Sequence, residues 1–87
     1  MEPFQKTQRQ LHKMLRRGRG VYVGATQNPM RRASAHARTY PGKNMYFAPT
    51  ENMQYAEQRL IRACRRCRNI QSESNVSQER GFVYVIC

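Results

Sequence analysis

The 87-residue sequence has no tryptophan, no aspartate and no long apolar run. Its longest apolar stretch, residues 82–87, is far shorter than the roughly 20 residues that a membrane-spanning helix needs, so we expect no membrane partner. Only 39% of the residues are hydrophobic, and a chain of this length buries only about 60% of its extended surface. The sequence therefore predicts one domain, covering residues 1–87, with a thin core.

Cysteines are few and odd in number, at positions 64, 67 and 87. The first ten residues contain no apolar run, so we expect an intracellular protein, cytoplasmic or nuclear, without a disulfide scaffold. Residues 3–19 are basic, acid-free and amphipathic, which is also typical of a mitochondrial presequence. Cys64 and Cys67 have the spacing of a metal-ligand pair, but no second pair follows. Because both fit the apolar face of a helix, we interpret them as core residues.

Acidic residues are scarce. Sixteen lysines and arginines face five glutamates, which gives a net charge of +11, and thirteen of the cations are arginine. The planar guanidinium pairs with phosphate oxygens two at a time, whereas lysine offers a point charge. This composition indicates a polyanionic partner, and we expect DNA, with RNA as the alternative. A solvated basic surface, or a tail of a larger assembly, has the same composition.

The hydrophobic pattern alternates between helical and extended periods. It predicts a small α+β fold, in which a three-stranded sheet packs against helices. Asn28 and Pro29 form a typical helix start, and Thr50 is the expected N-cap of the third helix. The expected elements are a helix over 3–17, a strand over 21–23, a helix over 29–38, a strand over 45–48, a helix over 51–66 and a strand over 82–86.

Glu57 has an unusual place in the third expected helix. On a helical wheel with Met53 at 0° and about 100° per residue, Glu57 lies at roughly 40°, inside the apolar arc that contains Leu60. A carboxylate on the core side is costly unless a cation or hydrogen-bond donors meet it. Two interpretations remain open for Glu57: a structural ion pair with an arginine, or a metal ligand or acid/base group. Arginines fill the exposed faces of this helix instead, at Arg59, Arg62, Arg65 and Arg66.

Arg32 and His36 are four residues apart and therefore share one face of the second expected helix. Taken alone, such a pair is typical of a solvated basic stripe. Arginines near the ends of the first two helices are the expected nucleic-acid contacts, namely Arg16, Arg17, Arg19, Arg31 and Arg38.

Residues 20–36 resemble the second half of the GIY-YIG endonuclease signature. The triplet at 22–24, Tyr-Val-Gly, is similar to the Tyr-Ile-Gly of that family. Arg32 stands where the family has its catalytic arginine, and a histidine four residues later, here His36, is common in it. Residues 56–61 resemble the helix with the family's metal-binding glutamate, which corresponds to Glu57. Asn75 is similar to an asparagine near the end of that domain.

The sequence departs from the family at the first motif. The family opens with a Gly-Ile-Tyr strand. Here we expect a basic helix in residues 1–19 instead, and no tyrosine precedes Tyr22. Either the region is truncated or degenerate, or the C-terminal strand fills the vacant place, as in a circular permutation. In the second case, residues 82–86 pair with residues 21–23 or lie one strand away, and Tyr84 faces the same side as Tyr22. A core tyrosine without a catalytic role has the same pattern.

The resemblance implies a GIY-YIG-like fold and a divalent-metal-dependent endonuclease that hydrolyses phosphodiester bonds in DNA. Glu57 would anchor Mg²⁺ or Mn²⁺, Arg32 would hold the phosphate, and Tyr22 would take or relay a proton from the attacking water. His36 would orient the phosphate or share the relay, and Asn75 would support the glutamate or the strand. The implied catalytic residues are Tyr22, Arg32, His36, Glu57, Asn75 and Tyr84.

Two rival functions are compatible with the same composition. A catalytically inactive DNA- or RNA-binding module would use the basic helices for phosphate contacts without chemistry. A small ribosome-type RNA-binding protein would carry basic residues without a buried acid.

Overall fold

Four strands form one mixed sheet in the computed structural model, which describes residues 1–67 and 76–87. The strand order is β1-β3-β4-β2, with β4 antiparallel to both neighbours and β1 parallel to β3. The α+β class is confirmed, but the expected three-stranded sheet is wrong by one strand. In chain order the elements are β1 (Pro3–Gln5), α1 (Gln8–Arg16), β2 (Tyr22–Thr26), α2 (Pro29–His36), β3 (Met45–Thr50), α3 (Met53–Ala63) and β4 (Gly81–Ile86).

The additional strand lies at the N-terminus, where the sequence pattern predicts helix from residue 3. Phe4 pairs with Tyr46 in the parallel β1–β3 ladder, and their rings stack 5.6 Å apart. The helix begins only after Thr7, whose hydroxyl accepts a hydrogen bond from the Gln10 amide at 3.1 Å. The Gln10 side chain in turn accepts from the Thr7 amide at 2.9 Å, which completes a capping box. Residues 1–19 therefore contain a strand and a helix, not a helix alone.

The sheet separates α2 from the other two helices. On one face, Leu11 and Leu15 of α1 and Leu60 of α3 pack in a core with the inward side chains of the sheet. On the opposite face, Ala33 of α2 packs in a second, smaller core. The sheet residues in the first core are Val23, Ala48, Val83 and Val85, and those in the second are Met45, Tyr84 and Ile86. Within the described ranges, no helix has both the length and the apolar character to cross a membrane.

Helix α3 is shorter at both ends than its expected range of 51–66. Its N-cap is Asn52, whose side chain accepts a hydrogen bond from the Tyr55 amide at 3.1 Å. Thr50, the expected cap, is the last residue of β3, and its hydroxyl accepts from the Asn52 amide at 3.2 Å. The pairing of Thr50 with Gly81 in the sheet extends the strand by two residues beyond its expected end. Because β3 ends at Thr50, α3 begins at Met53 and not at residue 51.

Cys64 and Cys67 form a disulfide immediately after α3. The expectation of reduced core cysteines is therefore wrong, although both residues do pack against the core that contains Leu60. Cys64 is the C-cap of α3 and has extended backbone dihedrals, so the helix does not continue to residue 66. Cys87 is a free, half-buried thiol.

Reduction of this disulfide is expected to destabilise the fold. Closing so short a loop contributes about 2 kcal/mol in the chain-entropy relation, which corresponds to roughly 10 °C in melting temperature for a domain of this size. Dithiothreitol should lower the melting temperature of the native protein by that amount and leave a Cys64→Ser/Cys67→Ser variant unchanged. Cys87→Ser is the matched control and should respond to dithiothreitol like the native chain. Equal melting of the native protein with and without dithiothreitol would contradict the expected contribution.

Candidate active site

The register between β2 and β4 places two tyrosines on one face of the sheet. Gly24 is the direct partner of Tyr84, and Tyr22 is two residues before Gly24, so Tyr22 and Tyr84 project to the same side. Their ring centroids lie 6.2 Å apart. The predictions that the C-terminal strand pairs with residues 21–23 and that Tyr84 faces the side of Tyr22 are both confirmed.

Gly24 provides the space in which the Tyr84 ring lies. A Cβ atom built on Gly24 would overlap the end of the Tyr84 ring and its hydroxyl. The phenol therefore crosses directly over the backbone of β2, and only glycine at position 24 allows it to do so without a shift. The glycine of the Tyr-Val-Gly triplet thus fixes where the Tyr84 hydroxyl lies.

Gly24→Ala is expected to destabilise the protein by about 1–3 kcal/mol, because the methyl group displaces a ring that is buried. Chemical denaturation measures the change. The control is the same substitution in a Tyr84→Leu background, in which the side chain ends before the overlapping atoms. The loss of stability should be much smaller in that background. An equal loss in both backgrounds would show that the added methyl group does not displace the Tyr84 ring.

Helix α2 brings Arg32 and His36 to the hydroxyl of Tyr84. The helix begins at Asn28, which accepts a hydrogen bond from the Arg31 amide at 3.1 Å, followed by Pro29 at the first helical position. One turn separates Arg32 from His36, and the Nε2 atom of His36 lies 2.8 Å from the Tyr84 hydroxyl oxygen. The Arg32 side chain is close enough to the same hydroxyl to influence its pKa.

The protonation states of these three groups follow from burial and charge. Burial raises the pKa of Tyr84 to about 12, with smaller contributions from Tyr22 and Glu57, while Arg32 acts in the opposite direction. Burial, and then the positive charge of Arg32, lower the pKa of His36 below its ordinary value of 6.5. Hydrogen bonding with Tyr84 raises the pKa of Arg32. At neutral pH, Arg32 is charged, Tyr84 is protonated and His36 is neutral.

The direction of the hydrogen bond between His36 and Tyr84 follows from these states. The phenol is protonated and donates, and the neutral imidazole of His36 accepts at Nε2, 2.8 Å away. The proton of His36 is then on Nδ1, and the charge of Arg32 acts on the same phenol.

Aromatic rings enclose His36 on this face. Its ring centroid lies 5.1 Å from that of Tyr22, 5.6 Å from that of Tyr84 and 5.7 Å from that of Tyr40. Tyr40 was not predicted from the sequence as a residue of this site. It follows α2, and its backbone amide donates a hydrogen bond to the His36 carbonyl at 3.0 Å. Its spacing of four residues from His36 is the signal that points to it.

Glu57 belongs to α3, which lies on the other side of the sheet from Tyr84. Its neighbours Ala56 and Leu60 pack in the core beneath β2 and β4, and Glu57 itself is only 5% exposed. The prediction that Glu57 lies on the buried side of its helix is confirmed. Its negative charge is the smallest of the contributions to the pKa of Tyr84, which burial raises most.

Carboxylates that could hold a metal ion are few in the described residues. Among residues 1–67 and 76–87, no group of three or more His, Cys, Asp or Glu side chains is placed to bind a metal ion. Mg²⁺ does not require such a group, since it is commonly bound by one or two carboxylates together with waters and substrate phosphates. Glu57 is the carboxylate of the site that fits this role.

The remaining candidates fall into three places. Arg31 and Arg38 belong to α2 and the turn after it, on the same face as Arg32. Arg16, Arg17 and Arg19 belong to α1 and the turn that follows it, on the opposite face. Asn75 lies outside the described residues. The structure therefore brings Tyr22, Arg32, His36 and Tyr84 together and divides the expected nucleic-acid contacts between two faces.

Comparison of this chain with protein-family models, with curated proteins and with solved structures found no match.

Proposed function

We propose that this chain is a divalent-metal-dependent endonuclease of the GIY-YIG type that hydrolyses phosphodiester bonds in DNA. One observation carries the proposal: Tyr84 and His36 are hydrogen-bonded beside Tyr22, and the charges of Arg32 and of a buried glutamate both influence the phenol. These groups come together because β4 is paired with β2, although the two strands are distant in sequence. A solvated basic stripe does not require that convergence.

The place of β4 in the sheet supports the permuted arrangement over the truncated one. The N-terminal strand β1 pairs only with β3 in the described sheet and lies at the far edge from β2. The antiparallel partner of β2 is β4, which is the strand that brings a tyrosine to the site. In this proposal the C-terminal strand replaces the missing first motif, and Tyr84 replaces the missing tyrosine.

Arg32 binds the scissile phosphate in the proposed mechanism. Its side chain is exposed, and its raised pKa keeps it charged at every working pH. The guanidinium donates two parallel hydrogen bonds to phosphate oxygens, where negative charge increases in the transition state. A divalent cation at Glu57 would supply further stabilisation of the charge on the departing oxygen.

The attacking water loses its proton through Tyr84 and His36. Since the pKa of Tyr84 is about 12, free phenolate is scarce at neutral pH. The phenol oxygen therefore accepts the proton of the water while the phenol proton moves to Nε2 of His36, which becomes the imidazolium. Tyr22, half-buried against the His36 ring, borders the same space.

A catalytically inactive DNA- or RNA-binding module is the second candidate. Glu57 is 5% exposed and Tyr84 is 1% exposed, so neither group is freely accessible in the unbound protein. A nuclease site with these residues requires that the substrate and metal reach them when bound. A binding module would need only the exposed arginines.

Nicking of supercoiled plasmid separates the two candidates. A nuclease is expected to convert supercoiled plasmid to open-circular DNA with Mg²⁺ or Mn²⁺ and to be inactive in EDTA. A binding module is expected only to shift the electrophoretic mobility of the DNA. Retarded mobility in both conditions without any nicked product would favour the binding module and overturn the proposed nuclease.

A further inference from the structure

A second basic surface lies between α1 and α3, on the opposite side of the sheet from the candidate active site. Two adjoining cavities that share His12 and Arg59 form one continuous groove here, called the α1–α3 groove. Its lining comes from both helices and the turn after α3, and it contains five arginines together with His12: Arg9, Arg16, Arg59, Arg62 and Arg65. Nothing in the proposed catalytic mechanism uses this groove.

Within the described ranges, no ion pair involves the arginines of the groove. The ion pair found there joins Arg80 to Glu51, two exposed residues that do not line the groove. Like charges in such proximity repel each other, and an anionic ligand with repeated charges relieves that repulsion.

The dimensions and chemistry of the groove suit a phosphodiester backbone. Arg9 and Arg16 are seven residues apart on α1, about 10 Å at 1.5 Å per residue, which matches about three base-pair steps at 3.4 Å each along the axis of a duplex. Guanidinium groups match phosphate oxygens in pairs. A membrane surface would need apolar side chains to insert, whereas Leu11, Leu15 and Leu60 of these helices are buried in the core.

We propose that the α1–α3 groove binds a second DNA duplex, so that one chain holds two duplex segments on opposite faces of its sheet. The first segment lies on the α2 face with Arg31, Arg32 and Arg38. This inference rests on the proposed function only in taking the α2 face as a DNA-binding face, and it does not require nicking.

Short duplexes test the proposal by stoichiometry. The protein measures 30 × 26 × 24 Å, and a 12-base-pair duplex is a rigid rod of about 40 Å that cannot wrap around it. Analytical ultracentrifugation in EDTA with excess labelled duplex is expected to give two duplexes per chain for the native protein. Arg62→Gln/Arg65→Gln is expected to bind one, because both residues line the groove and are exposed.

The matched control is Arg66→Gln/Arg80→Gln, which removes the same two charges from residues that do not line the groove. It should retain two duplexes per chain, and circular dichroism should show equal folding of all three proteins. One duplex per native chain, or two on the groove variant, would overturn the proposal. Two duplexes on a native chain that never nicks plasmid would support it and overturn the nuclease instead.

Discussion

Glu57→Gln is expected to reduce metal-dependent nicking at least about 100-fold while leaving DNA affinity equal or higher. The substitution keeps the size of the side chain but removes the negative charge that would hold the cation. It also removes repulsion between a buried carboxylate and the DNA phosphates, which is why affinity should not fall. Plasmid nicking in Mg²⁺ and electrophoretic mobility shift in EDTA measure the two quantities separately.

Glu51→Gln is the matched control for charge. Glu51 is an exposed glutamate whose partner is Arg80, at a distance of 3.2 Å between the charged groups. This variant has the same change in net charge and should nick at the native rate. If Glu57→Gln also nicks at the native rate, Glu57 is a structural residue and the proposed nuclease is wrong.

Tyr84→Phe is expected to lower the nicking rate about 100-fold or more with little change in melting temperature. The substitution removes the hydroxyl that is hydrogen-bonded to His36 but keeps nearly all of the packing of the ring. Loss of a proton-transfer group costs about 10²–10⁴ in rate, whereas one hydrogen bond contributes only about 1 kcal/mol to stability. Single-turnover nicking and thermal unfolding are the two measurements.

Tyr46→Phe is the control for this substitution, because Tyr46 lies on the opposite face of the sheet, stacked on Phe4. It should leave the nicking rate unchanged. Native activity in Tyr84→Phe would make Tyr84 a plain core tyrosine, and the proton route through His36 would then be wrong.

Elements with strong local signals were predictable from the sequence. Asn28 and Pro29 mark the start of α2, and the apolar run at 82–86 marks β4, because cap geometry and β-branched content act within a few residues. The strand β1 was not predictable in this way. Its three residues are held by pairing with β3, some forty residues later in the chain, so the local amphipathic pattern at Phe4 fits a helix equally well.

The boundaries of α3 depended on contacts that periodicity does not contain. Thr50 and Asn52 are both good caps, and the choice between them depends on how far β3 pairs with β4. The C-terminal end depends on the Cys64–Cys67 disulfide, which the odd cysteine count does not indicate. Helical periodicity therefore located the middle of α3 but neither end.

The candidate site was predictable in part. Glu57 was recognisable because a carboxylate within an apolar arc is locally anomalous, and alternation in β4 placed Tyr84 on a definite face. The contact between Tyr84 and His36 joins residues 48 positions apart, and it depends on the register that aligns Gly24 with Tyr84. No local pattern contains that register, so the hydrogen bond between Tyr84 and His36 emerged only from the folded structure.

The most direct test of a metal-dependent site is a crystal of the protein with a short DNA duplex soaked in Mn²⁺, measured at the manganese absorption edge. We expect an anomalous peak at the Glu57 carboxylate and Arg32 on the adjacent phosphate. A Glu57 carboxylate that pairs with an arginine, with no manganese peak beside it, would contradict the proposed metal site.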